Sequence, residues 1–194
     1  TEGVGDPVAG FAMLGVADRL AVVLRQSNPD LYYANLAQRG LLMSEIREQQ
    51  LEAALTLKPD LVSVVAGAND ILTGRCSAAR WEEELRTLYQ GFADAGATVI
   101  AATLPEFPIP RTLPGPMQAR VKGNLVRGNA LIERLAVQCR IVLVDTWAIS
   151  QRSEPGDWSE DGVHLNARGY FKLAREVVAL LEEAQGIRIG AVEA

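Results

Sequence analysis

The sequence predicts an α/β fold in which a doubly wound parallel sheet carries helices on both faces. Two observations predict it. Short runs rich in Val, Ile and Leu alternate along the chain with longer segments whose apolar residues recur at helical spacing. The short runs are continuously apolar rather than alternating, which is the pattern of strands buried on both faces.

The elements follow in order. A helix is expected over residues 11–27, then a strand at Leu31–Ala34 and a helix over 41–57. Pro59-Asp60 breaks the chain before a second strand, Leu61–Ala66. Over residues 78–95, Trp81, Leu85, Leu88, Tyr89 and Phe92 fall on one helical face. Gly96 then opens a strand at Thr98–Thr103, and a stiff loop, 104–116, follows with five prolines. A helix over 117–138 leads to a fourth strand, Ile141–Asp145. The last helix covers 167–185, with Tyr170, Leu173, Val177, Leu180 and Leu181 inward and Asn166 as its N-cap. One domain over 1–186 with a loose tail, 187–194, accounts for the chain.

Composition narrows the function. The chain has 194 residues, 48% hydrophobic and 22% charged, the balance of an ordinary globular protein. The net charge of −5, with no basic cluster, argues against nucleic acid as a partner. No apolar run reaches the roughly 18 residues of a membrane span. The two cysteines, Cys76 and Cys139, lack metal-ligand spacing and are read as unpaired thiols. No signal peptide is visible, and a cytoplasmic location is expected, the alternative being a signal that stands upstream of Thr1. Oligomeric state is not legible.

Ligands of doubly wound sheets bind beyond the carboxyl ends of the strands. Three polar stretches are expected there: Asn35–Gly40, Gly67–Asp70 and a loop ending in Asp161-Gly162-Val163-His164-Leu165-Asn166. His164 is the only histidine, and a lone histidine is more often structural. Here Asp161 stands three residues before it, where a carboxylate can accept the Nδ1 proton and leave Nε2 as a general base. The side-chain amide of Asn69, after a strand, can aim an N–H at an oxyanion, although Gly, Asn and Asp also make plain turns. Gly40 permits close backbone approach and could add a second N–H, or could simply turn the chain into a helix. Trp158, beside Asp161, either lines a pocket or packs its loop.

Four short motifs now stand in order. Gly67-Ala68-Asn69-Asp70 resembles the third block of the SGNH (GDSL-type) hydrolases, and Asp161-Gly162-Val163-His164 resembles the fifth. Gly40 matches the glycine of the second block. Thr1-Glu2-Gly3, within Thr1–Pro7, is similar to the close of the first block, Gly-Asp-Ser-x-Thr-Glu-Gly. The resemblance runs from Thr1 to about residue 185. It implies a flavodoxin-like sheet of about five strands, four of them visible here, and hydrolysis of carboxylic or thio-esters through an acyl-enzyme. It implies Asp161 and His164 as acid and base of a Ser-His-Asp triad, and Gly40 and Asn69 as oxyanion-hole donors. A small-molecule ester is then the partner, and no metal or organic cofactor is implied.

The resemblance places the nucleophile ahead of Thr1, so the natural chain is expected to extend upstream by a strand and a Gly-Asp-Ser turn, about ten residues. None of the seven serines replaces it. Ser63 lies in a strand, Ser44 in a helix, Ser27 and Ser77 beside helices. Ser150, Ser153 and Ser159 share the loop of His164 but sit on no glycine-rich elbow. Thr1 as an N-terminal nucleophile is a further option, although it opens a Gly/Pro loop rather than a strand. Two other classes remain: a non-catalytic binding module on the same fold, and a nucleotide binder, for which no phosphate cradle is found.

Overall fold

A computed structural model describes residues 14–74, 77–106, 114–161, 164–190 and 192. Thr1–Pro7, Cys76, Pro108, Pro110 and the pair Gly162-Val163 lie outside the described residues. The chain divides into two compact units, one of Gly40–Ala148 and one of Thr1–Arg39 with Ile149–Ala194.

The Gly40–Ala148 unit holds the sheet. Strands β1 (Leu61–Val64), β2 (Thr98–Ala102) and β3 (Val142–Val144) pair in parallel in the order β1-β2-β3. Leu61 stands opposite Thr98, and Ile100 opposite Val142. The central strand is the most buried: Val99, Ile100, Ala101 and Ala102 all lose nearly all solvent contact. Successive side chains point to opposite faces, so that burial requires cover on both, as the continuous apolar run requires.

Helices α5 (Ala78–Asp94) and α6 (Gly115–Cys139) follow β1 and β2 and pack on the sheet and on each other. The predicted face of α5 is the buried one: Trp81, Leu85, Leu88, Tyr89 and Phe92 enter the core with Val64, Val99, Leu125, Ile132 and Leu135. Each such side chain contributes about 1.5–3 kcal/mol by leaving water. Helical turns α2 (Met43–Ile46) and α3 (Glu52–Thr56) flank a π-helical segment, Arg47–Leu51, and together form the helix expected over 41–57. The buried Asn129 of α6 brackets Leu104 with two hydrogen bonds, 2.7 and 2.9 Å, and so anchors the chain just past β2.

Two short helices escaped the sequence pattern. Helix α4 (Ala68–Thr73) follows β1, and α7 (Thr146–Arg152) follows β3. Each has too few residues to show a helical period.

In the other unit, α1 (Val16–Ser27) packs against α8 (Ala167–Gln185). Leu20 and Val23 of α1 are buried, as is the row of Tyr170, Ala174, Val177, Val178 and Leu181 on α8. Asn166 caps α8 as expected, accepting the Gly169 N–H at 3.1 Å. Residues just past α8 are held rather than loose: Ile189 is buried, its N–H donates to Glu182 and its carbonyl accepts from Ser27.

Leu31–Ala34 is not a strand. Residues 31–38 have no regular structure, and Tyr32 is 76% exposed. A strand exists only where its backbone finds a ladder, and this stretch pairs with none among the described residues. Its polar groups turn to local partners instead: the Tyr33 hydroxyl donates to Asp18 at 2.7 Å, and Asn35 accepts the Ala37 N–H. Three of the four expected strands therefore form, each a residue or two shorter than expected. Among the described residues no helix is long and apolar enough to cross a membrane.

Candidate active site

Asp161 and His164 lie in a narrow antiparallel pairing that precedes α8. Trp158 bridges Leu165, the Ser159 N–H donates to the His164 carbonyl at 2.8 Å, and the Asn166 N–H donates to the Asp157 carbonyl at 3.0 Å. The Asn166 amide, whose oxygen caps α8, also donates to the carbonyls of Gly156 and Trp158. Trp158 thus belongs to the scaffold of this loop through its backbone.

At the end of this pairing the Nδ1 of His164 lies 2.7 Å from one carboxylate oxygen of Asp161. The other oxygen accepts two donors, the His164 backbone N–H at 2.9 Å and the Ser159 hydroxyl at 2.7 Å. A carboxylate facing Nδ1 makes that nitrogen the proton carrier and leaves Nε2 with the basic lone pair. Both side chains keep water access, at 43% and 47% exposure, so the imidazole is within reach of a small molecule.

The pairing is anchored beneath by Asp157, which is buried. Its carboxylate takes Lys172 at 2.8 Å, Arg168 at 3.2 Å and the Glu154 N–H at 2.9 Å. Burial alone would raise its pKa, but these partners outweigh burial and hold it below the ordinary value.

Gly40 and Asn69 belong to the other unit. Gly67 ends the segment after β1 with φ of +103°, and a Cβ there would stand 2.5 Å from the Trp81 ring, so only glycine fits. It caps α4, which places Asn69 on the first helical turn rather than in the loop read from sequence. The Asn69 amide nitrogen donates to the Leu41 carbonyl at 3.0 Å. This ties Asn69 to the segment that begins at Gly40, whose φ is +84°. An amide NH₂ has two hydrogens, and one of them orients the group against Leu41.

Each predicted pair is therefore assembled within its own unit: Asp161 with His164, and Asn69 with the Gly40–Leu41 segment. Ser159, which sits on no nucleophile elbow, instead donates its hydroxyl to Asp161, a contact that no motif in the sequence signals. Asp70 is the second missed residue; it lies buried, and its carboxylate accepts the Met43 N–H at 3.1 Å. Ser63 is exposed on β1 and Ser77 caps α5. Among the described residues no group of three or more His, Cys, Asp or Glu is arranged to hold a metal ion, and Cys139 is a free thiol.

The model of the GDSL-like lipase/acylhydrolase family matches residues 1–171. Among solved structures, an acetyl xylan esterase variant from Geobacillus stearothermophilus is similar with a TM-score of 0.70 and 20% identity, covering 96% of this chain and 88% of that one. The crystal structure of TesA gives 0.69 and 22%, covering 90% and 91%. An α/β hydrolase from the metagenome of Lake Arreo, Spain, gives 0.65 and 22%, covering 96% and 88%. At these identities the likeness establishes the fold. No curated protein matches the chain significantly.

Proposed function

This chain belongs to the GDSL-like lipase/acylhydrolase family, and from that premise we propose that it hydrolyses carboxylic or thio-esters through an acyl-enzyme on a Ser-His-Asp triad. The observation that carries the reading is the 2.7 Å contact between His164 Nδ1 and a carboxylate whose second oxygen is already held by two donors. Such a carboxylate is fixed, so the imidazole it faces is fixed in tautomer and direction.

The proposed nucleophile is a serine of the kind that the family's first sequence block carries, the block that Thr1-Glu2-Gly3 resembles. As its hydroxyl attacks the ester carbonyl, His164 Nε2 takes the proton and the carbonyl oxygen becomes an oxyanion. The Gly40 N–H and the second hydrogen of the Asn69 amide donate to that oxyanion. Collapse of the tetrahedral intermediate expels the alcohol or thiol, which receives the proton from His164. Water then attacks the acyl-enzyme by the same path, with His164 again as base. Asp161 stabilises the imidazolium formed in each half. That both pairs serve one reaction rests on family membership and on block order.

One similar protein has been solved as catalytic variants in which a serine, an aspartate or a histidine is replaced by alanine. That set has the composition proposed here. The same protein is an acetyl xylan esterase, so O-acetylated sugars join aryl acetates and acyl thioesters as substrates to assay.

The test joins Gly-Asp-Ser and one further residue, behind a strand, ahead of Thr1, and measures release of p-nitrophenol from p-nitrophenyl acetate. Turnover that disappears in a His164→Ala variant is the expected result. A folded chain with the serine in place and no ester or thioester turnover would return the protein to the binding-module reading.

A further inference from the structure

The oxyanion pair raises a positional problem that the triad does not. Gly40 and Asn69 come from segments far apart in sequence, yet two donors stabilise one oxyanion only if their spacing is held to about 0.5 Å. A single hydrogen bond, from Asn69 to the Leu41 carbonyl at 3.0 Å, leaves the Gly40 segment free to pivot about that contact. A second tie, two residues further on, removes the pivot. The Met43 N–H donates to Asp70 at 3.1 Å, and both residues are buried. Between the two ties the Leu42 N–H donates to Glu45 at 2.7 Å, closing the start of α2. Asn69 and Asp70, neighbours on α4, therefore grip Leu41 and Met43.

The chemistry of Asp70 argues that the grip has a use beyond folding. A buried carboxylate is costly, and an apolar residue of similar size often serves stability as well or better. Burial pushes the Asp70 carboxyl up, and the charges of Glu45 and Glu84 push in the same direction against the two backbone N–H groups it accepts. Sites that break a stability rule are where function is expected.

We propose that Asp70 is the positioning residue of the oxyanion hole: its buried carboxylate takes the Met43 N–H and, beside the Asn69–Leu41 bond, locks the Gly40 segment against α4, so that the Gly40 N–H and the Asn69 amide keep one spacing. The inference rests on the reading of Gly40 and Asn69 as oxyanion donors. Asp70 itself touches no substrate, and its effect passes through those two groups.

The experiment compares Asn69→Ala, Asp70→Ala, Asp70→Leu and Asp70→Asn in the chain with Gly-Asp-Ser and one further residue joined ahead of Thr1, as in the test above. Turnover of p-nitrophenyl acetate is expressed per active site titrated with a fluorophosphonate, so unfolded molecules are not counted. Asn69→Ala is expected to lower kcat by about 10²–10³-fold. Asp70→Ala and Asp70→Leu, which remove the acceptor, are expected to lower it by about 10–100-fold with KM changed less than about threefold, because a misplaced donor weakens the transition state more than the bound ester. Asp70→Asn keeps an acceptor oxygen for Met43 and is expected to restore kcat to within about threefold. Wild-type kcat in Asn69→Ala overturns the oxyanion reading and the inference together. A large Asn69 effect with kcat unchanged in Asp70→Leu, or with Asp70→Asn as slow as Asp70→Ala, overturns the inference alone.

Discussion

The Asp161 carboxylate divides its two oxygens between two tasks: one lies 2.7 Å from His164 Nδ1, and the other accepts the backbone N–H of the same histidine at 2.9 Å. Ring and backbone of one residue are thus referred to one carboxylate. The first prediction follows. His164→Ala removes the chain's only imidazole, so ester turnover should fall about as far as it does on losing the serine, on the order of 10⁶-fold in kcat. Asp161→Ala should cost less, because an unanchored imidazole keeps some basicity. Substantial esterase activity in His164→Ala would show that the triad assignment is wrong.

The Ser159 hydroxyl is the third donor to Asp161, at 2.7 Å. Ser159→Ala leaves that carboxylate with one donor fewer to fix its direction towards His164. Esterase kcat should fall by up to about tenfold with KM changed less, because the change acts on the orientation of the base rather than on ester binding. A kcat equal to the parent's would remove Ser159 from the network.

Much of this was legible in the sequence, and the limit has a physical form. The inward face of α5, from Trp81 to Phe92, repeats over about three turns, so its period survives noise. The Asn166 cap needs only its own residue and the next three. Asp161 and His164 meet because they are three positions apart in one loop. What failed needed partners distant in the chain. Leu31–Ala34 has strand composition but no ladder among the described residues, and composition does not supply one. Asn69 sits on a helix of six residues, too short for a period. The roles of Asp70 and Asp157 depend on Met43 and Lys172, and nothing local announces either contact.

Gly67 should tolerate no side chain. Its φ of +103° and the Trp81 ring 2.5 Å from a Cβ are separate penalties, each about 1–3 kcal/mol. Gly67→Ala should therefore lower the urea midpoint with little change in slope. Replacing the indole relieves the clash but leaves the backbone strain. The double variant Gly67→Ala/Trp81→Leu should accordingly lose less than the sum of its parts, and strict additivity would show that ring and glycine do not press on each other.

Asp70 and Asp157 should respond to pH in opposite senses. Burial, with Glu45 and Glu84 nearby, raises the folded-state pKa of Asp70. The folded state then binds the Asp70 proton more tightly than the unfolded state does. This carboxylate therefore costs stability at neutral pH, and the cost fades as pH falls through the raised value towards the ordinary one near about 3.9. Asp70→Asn, which cannot ionise, should gain in melting temperature over the parent at pH 7 and lose that gain near pH 4. A difference that stays constant across this window contradicts the assignment.

For Asp157 the sign reverses. Burial pushes its pKa up, but the Lys172 ammonium, the Glu154 N–H and Arg168 pull it down further, so the folded state favours the charged form. Its contribution is present above the ordinary carboxyl pKa of about 3.9 and is lost as pH falls through the depressed folded value. Asp157→Ala leaves the Glu154 N–H without its acceptor and Lys172 without its buried partner, an expected loss of about 1–3 kcal/mol at pH 7. The cations add little to this, since Lys172 and Arg168 are about half exposed and screened by water. The loss should shrink as the pH is lowered below the ordinary carboxyl value of about 3.9, where the unfolded chain binds the proton more readily than the folded one. The variant keeps the carbonyl that accepts the Asn166 N–H but loses the Lys172, Arg168 and Glu154 contacts at the base of the pairing that presents Asp161 and His164, so it should lose esterase activity per titrated site as well. Urea midpoints of parent and variant, taken from pH 3 to 7, test the linkage, and a gap that widens on acidification would overturn it.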